Sequence, residues 1–252
     1  MAEKNKSDIF IYILGIAIVG FIAFKIIGYI LPDQKPEYTA ETLLEAVMDN
    51  SGGKKAWNDI KTMSYQKSFK LYREDGTVEI DRNETHQYDF TEGIYRQVDW
   101  SQDTTHYSLV KTDTTIYQTK NKRIDTTVTE SQLQSKLDAA TFVVGLPFTL
   151  DNPSATLVYE GIKEFQKVPC HVLKVTFEGS KDVWRHYYEE ETLSWEGYWV
   201  QTSDHYSLII NEEMMDEKGF TLSRKRESYR TDASQKPTYL RAAYEYSSYA
   251  IE

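Results

Sequence analysis

The chain opens with a run that is almost continuously apolar from Ile9 to Leu31, broken only by Lys25. As a helix at about 1.5 Å per residue it reaches roughly 34 Å, enough to cross a hydrocarbon layer of about 30 Å. Lys25 lies towards the C-terminal end, where a long side chain reaches the interface. Its cost of at most about 3 kcal/mol is outweighed by the many Ile, Leu, Phe and Val residues. A cleaved signal peptide would have a shorter apolar core followed by small residues. Here the run ends Ile30-Leu31-Pro32, with no Ala-x-Ala pattern. Residues 9–31 therefore read as an uncleaved transmembrane helix. Lys4 and Lys6, set against Glu3 and Asp8, place the short N-terminus 1–8 in the cytoplasm and the rest of the chain outside it. Residues 32–39 are polar with two prolines, and read as a linker.

Beyond the linker the pattern changes twice. Thr39 is a helix cap, and Leu43, Leu44, Val47 and Met48 form one apolar stripe that Gly52 and Gly53 end. Lys54–Ile60 adds a further turn, with Trp57 and Ile60 pointing inward. A period of two then takes over: Met63, Tyr65, Phe69 and Leu71 alternate with Ser64, Gln66, Ser68 and Lys70. Asp75-Gly76 marks a hairpin, after which Val78 and Ile80 resume the alternation. Further strands follow to Val128. Thr129-Glu130-Ser131-Gln132 is a capping box, and Leu133, Leu137, Ala140 and Val144 recur at helical spacing. Gly145 and Pro147 end that helix, and strands resume from Ala155 to Tyr246. The reading is mainly β with α (α+β): about eleven or twelve antiparallel strands as a sandwich or barrel, with one amphipathic helix inserted between two groups of strands.

Composition narrows the function. The formal charge is −10, and 19 tyrosines favour sheet. Charges before the apolar run cancel and Lys25 lies within it, leaving −11 for the remainder. Such a domain repels phosphate, so nucleic acid is not expected as a partner. Cys170 is the one cysteine, so no internal disulfide forms, and it reads as a buried small hydrophobe. Its neighbour His171 points to the opposite face of a strand, which rules out a cooperating Cys-His pair. The five histidines are scattered singly, and no nucleophile elbow, phosphate loop or dinucleotide motif occurs. No metal, cofactor or catalytic activity is expected. Glu189-Glu190-Glu191 reads as a solvated hairpin tip, and Asn83-Glu84-Thr85 matches a glycosylation sequon. Trp184, Trp195 and Trp199 lie on consecutive predicted strands, either as core or as walls of an apolar cavity. The inserted helix is either a structural plug or a movable lid.

Four segments resemble the LolA-like superfamily of periplasmic carriers over about Glu41–Tyr246. They are the run from Gly52-Gly53-Lys54 to Ile60-Lys61-Thr62, the segment Leu146-Pro147-Phe148-Thr149-Leu150, the strand Val168–Val175, and the hairpin Tyr187–Leu193 leading to Gly197-Tyr198. The resemblance implies a half-open antiparallel β-barrel over residues 40–252, wrapped around a hydrophobic cavity with helices as a lid. It also implies a domain in the periplasm, held at the inner membrane by a single pass. Members bind acyl chains or lipoproteins, whereas LolA itself is a soluble shuttle without an anchor. No residue here matches the arginine that governs lid closure in LolA. The candidate cavity lining is Leu133, Leu137, Phe142, Val143 and Phe148 from the lid and Trp184, Trp195 and Trp199 from the sheet. Two readings stand side by side: a tethered protein holding a lipid-like or other hydrophobic ligand, and an envelope protein-interaction module whose barrel is filled by its own side chains.

Overall fold

The computed structural model describes residues 37–252 except 92 and 94. The expected transmembrane helix (9–31), the N-terminus (1–8) and most of the linker lie outside the described residues. Among the described residues no helix is long and apolar enough to cross a membrane.

Thr39 caps the first helix, α1 (Ala40–Asn50). Its hydroxyl accepts from the Thr42 amide, and the Thr42 hydroxyl accepts from the Thr39 amide at 2.9 Å. The stripe Ala40, Leu43, Leu44, Val47 and Met48 is buried as its spacing requires. Gly52 ends α1 at φ +117° where it meets the backbone of Gly219, so a Cβ has no room there. The short α2 (Lys54–Asn58) carries Trp57, which stacks on Phe148 with ring centroids 4.6 Å apart and stands edge-on to Phe220.

Among the described residues thirteen strands form one antiparallel sheet. They are β1 (Thr62–Tyr72), β2 (Val78–Asp89), β3 (Tyr95–Gln102), β4 (Thr105–Lys111), β5 (Ile116–Lys120) and β6 (Arg123–Ile124), then β7 (Ala155–Phe165), β8 (Val168–Phe177), β9 (Val183–Glu189), β10 (Trp195–Gln201), β11 (Tyr206–Glu217), β12 (Phe220–Thr231) and β13 (Pro237–Ile251). The spatial order is β6-β5-β4-β3-β2-β1-β13-β12-β11-β10-β9-β8-β7. Two meanders of neighbouring hairpins are thus joined by one long-range pairing, β1 with β13, in the register Met63↔Ile251 to Leu71↔Ala242. Register shifts at Ser64/Gln66, Tyr159/Ile162 and Trp195/Gly197 are bulges of the kind that bend a sheet.

The sheet is open, and β6 and β7 are its two edges. They are consecutive in the chain, and the segment joining them holds α3 (Glu130–Val144) and a 3₁₀ turn (Phe148–Leu150). The capping box at Thr129 and Gln132 is formed as the sequence predicts. One side of α3 buries Leu133 and Leu137 against Val98, Trp100 and Leu109 of β3 and β4. The other side sets Phe142 against Phe177 of β8 and Trp184 of β9, at 5.7 Å and 5.4 Å. α3 therefore bridges the two wings of the sheet across its inner face.

The principal core fills one end of that inner face. α1, Phe148, Leu150 and Trp195 pack there with Met63, Tyr188, Phe220, Tyr249 and Ile251. A smaller cluster of Phe165, Cys170, Val172, Tyr187, Trp199 and Leu208 is packed separately. Cys170 and His171 do diverge: His171 meets Tyr38 and Tyr159, away from that cluster. Burial pushes the Cys170 thiol up to about 12.

Candidate functional site

Strand register puts the inward side chains in rows. One row runs Arg226–Tyr244–Phe69–Arg82 across β12, β13, β1 and β2. The adjacent row runs Tyr246–Lys67–Glu84–Trp100. All but Trp100 of these rows form part of the wall of a partly enclosed cavity of about 600 Å³ beside α3, at the end of the sheet that α1 leaves unfilled. Leu71, Val98, Leu109, Val200 and Ile209 supply aliphatic wall from the sheet, and Leu137, Ala139, Ala140 and Val143 supply it from α3. The small Ala139 and Ala140 leave the space beneath the helix open.

The wall is not uniformly apolar. Lys67, Arg82, Lys136, Arg226, Arg230 and Arg241 all line it, against one carboxylate, Glu84. Glu84 is buried and already shared. His86 Nε2 lies 3.1 Å from one oxygen, Lys67 Nζ 3.5 Å from the same oxygen, and Arg82 Nη1 3.6 Å from the other. Burial resists ionisation of Glu84, but the His86 hydrogen bond and the charges of Lys67, His86 and Lys136 prevail and hold its pKa at about 2. Dehydration lowers the His86 pKa against the pull of Glu84. Lys136 is exposed along the helix, yet its ammonium sits 3.6 Å from the centroid of the Trp100 ring. Loss of water there outweighs attraction to Glu84 and, with Arg82 and Lys67 adding repulsion, pushes its pKa down to about 8.

Arg241 is neutralised by Glu79 at 2.6 Å, and Arg230 donates to the Ser207 hydroxyl at 2.6 Å. Arg226 differs from both. It is only 4% exposed and donates through Nη2 to the Tyr246 hydroxyl, while its Nε and Nη1 have no partner among the described residues. No carboxylate pairs with it among the described residues.

A second buried imidazole, His186, stands among Trp184, Tyr188, Trp195 and Tyr198. Neither ring nitrogen has a partner among the described residues, and dehydration pushes its pKa down to about 3, so it is neutral. Among the described residues no three His, Cys, Asp or Glu side chains are grouped to hold a metal ion.

Of the eight candidate lining residues, Leu137, Val143 and Trp184 face the cavity. Phe142 packs behind them, on Phe177 and Trp184. Leu133 is buried under α3 against β3 and β4. Phe148 and Trp195 belong to the principal core at the filled end. Trp199 lies in the separate cluster, with its indole N–H on the Thr231 hydroxyl, because its neighbours Tyr198 and Val200 take the inward positions. The cavity's charged residues were not among the eight, although the sequence carries a signal for them. Lys67 falls in phase with Tyr65 and Phe69, Arg82 and Glu84 with Val78 and Ile80, and Arg226 with Phe220 and Leu222. Cations at apolar phase on a strand mark positions that face inward.

No protein-family model matches the chain. No curated protein matches it either. Solved structures do. A DUF1329 family protein from Desulfovibrio piger ATCC 29098 shares the fold with a TM-score of 0.54 at 10% identity, over 83% of this chain and 93% of that one. A LolA superfamily protein from Nitrosomonas europaea aligns with a TM-score of 0.54 at 8% identity, over 86% and 94%. A domain named for outer membrane lipoprotein sorting, from Vibrio parahaemolyticus, aligns with a TM-score of 0.52 at 8% identity, over 84% and 91%. The fold is therefore that of LolA superfamily proteins.

Proposed function

We propose that this protein is a binding protein, not a catalyst, and that it holds a lipid-like amphiphile in the cavity beneath α3. In this reading residues 9–31 tether the domain to the inner membrane and the domain works in the periplasm. The observation that carries the reading is the partly enclosed cavity of about 600 Å³ with aliphatic walls from both sheet and helix. That volume falls in the range of small-molecule sites. At the ~30 Å³ share of a water molecule in the liquid, it admits on the order of twenty non-hydrogen atoms, the size of a single-chain amphiphile. Each CH₂ taken from water contributes about 0.8 kcal/mol, so an acyl chain needs little polar recognition. The fold shared with a lipoprotein-sorting domain supports the same class of ligand.

The test is to isolate the full chain in phosphatidylcholine nanodiscs, extract it, and identify bound amphiphiles by mass spectrometry against empty discs. A fluorescent fatty acid is titrated into the same sample. Enrichment or saturable uptake is expected. An empty protein that also fails to take up the probe would count against the reading.

An envelope protein partner is the second reading. It is favoured by β7, an edge strand on whose outer side no strand pairs among the described residues, with Val158 and Ile162 45% and 48% exposed. A photo-crosslinker at Ile162, used in intact membranes, is expected to give one discrete adduct if this edge docks a partner.

A further inference from the structure

The inward positions of β1, β2, β12 and β13 bring three cations to one aromatic pair. Phe69 and Tyr244 are in contact, ring centroids 6.1 Å apart. Lys67 Nζ lies 4.7 Å from the first centroid and 5.5 Å from the second. The Arg82 guanidinium carbon is 5.7 Å from Phe69, and that of Arg226 is 5.7 Å from Tyr244. Glu84 pairs with Lys67 and Arg82 but not with Arg226. Cation–π contact offsets part of a guanidinium's lost hydration. It leaves two buried donor nitrogens of Arg226 without an acceptor, and an unpaired buried charge is costly. A protein of net charge −10 has thus gathered like charges around a partly enclosed space.

We propose that Arg226 receives the oxyanion head of a single-chain amphiphile, a carboxylate or a phosphate monoester, whose chain lies along the aliphatic wall beneath α3. This rests on the reading that the cavity holds an amphiphile. The unpartnered Nε and Nη1 point to different sides of the planar guanidinium, so each offers an oxyanion oxygen its own charge-assisted hydrogen bond. Lys67 and Arg82 supply further positive potential across the aromatic pair. The cavity thereby selects for charge at the head as well as for chain.

The experiment uses the full chain in phosphatidylcholine nanodiscs and isothermal titration with empty discs subtracted. The probes are laurate, dodecyl phosphate, dodecanol and inorganic phosphate. At least one anionic probe is expected to bind roughly tenfold or more tightly than dodecanol, the range of a charge-assisted hydrogen bond. The tighter of laurate and dodecyl phosphate identifies the head. R226M is expected to weaken the anionic probes far more than dodecanol, removing the preference, and R226K to retain part of it. Should R226M fail to fold, K67M must reduce the same preference. Equal affinity for laurate, dodecyl phosphate and dodecanol overturns the anionic head and leaves an apolar ligand standing. Inorganic phosphate binding as tightly as dodecyl phosphate overturns the amphiphile. Failure of every probe to bind overturns the cavity reading itself.

Discussion

Tyr65 and His86 lie directly opposite each other on β1 and β2 and stack with ring centroids 4.5 Å apart and planes 10° from parallel. His86 is held at both nitrogens, by Tyr88 at 3.1 Å and by Glu84 at 3.1 Å, and the Tyr65 and Tyr88 hydroxyls meet at 3.1 Å. This buried relay separates the packed end of the sheet from the cavity. It also couples the charge of Glu84 to the core.

Acid stability should report that coupling. The folded state holds the Glu84 pKa at about 2, below its ordinary 4.5. The contribution is therefore fully present above pH 4.5 and is lost as pH falls towards 2, with a size on the order of 3 kcal/mol. His86, also lowered, adds a loss that begins below its ordinary 6.5. Urea titrations at pH 7 and pH 3 are expected to give a smaller pH difference for E84Q than for the unaltered protein. Equal differences would refute the role of Glu84.

His186 offers an independent acid test with a different signature. Its pKa of about 3 means that stability present above pH 6.5 is lost as pH falls through 3. In H186F the phenyl ring keeps the stack and removes two unpartnered nitrogens. Its melting temperature at pH 7 is expected to be unchanged or higher, and its decline below pH 6 shallower. A large loss of stability at pH 7 would mean that the imidazole has a partner after all.

Gly197 sits at the β9–β10 bulge with φ +152°, and a Cβ there would lie 2.1 Å from the Ile209 carbonyl oxygen on β11. G197A is expected to destabilise the fold by about 2 kcal/mol or more, read by urea titration. G53A is the control. Gly53 has φ +89° with nothing within 4 Å of a built Cβ, so only backbone strain of about 1 kcal/mol is expected.

Thr129 caps α3 by accepting from the Gln132 amide at 3.3 Å. T129A is expected to cost about 1 kcal/mol locally. Hydrogen exchange should then quicken about fivefold in the first turn of α3 while α1 amides stay unchanged. Uniform acceleration through the domain would show that α3 unfolds only with the whole sheet.

The elements were legible where a period ran unbroken. Thr39 and Thr129 announced both long helices, and Met63–Leu71 announced the alternation of β1. The sheet has thirteen strands among the described residues against about eleven or twelve expected, and the strands expected to run to Val128 end at Ile124. The site was less legible. Trp184 and Trp199 look alike in sequence, yet β10 turns Tyr198 and Val200 inward and so sends Trp199 to the other side. Phe148 reads as lid but stacks on Trp57, a contact no local pattern announces. Lys67 is the instructive omission. A reading that sorts strand residues by hydrophobicity passes over the cation standing in phase with Tyr65 and Phe69, one of the six that line the cavity.

The pairing of β1 with β13 has a consequence for assembly. Every other ladder joins strands adjacent in the chain, so each can form from a short loop. The Met63↔Ile251 seam must instead bring together segments from opposite extremes of the domain. Closing so long a loop costs only slightly more entropy than closing a moderate one, but contacts of such separation slow the search for them. Each meander can therefore take shape on its own account. Lys67 and Arg82 belong to one and Arg226 to the other, so the cationic cluster comes into being only when the seam zips shut.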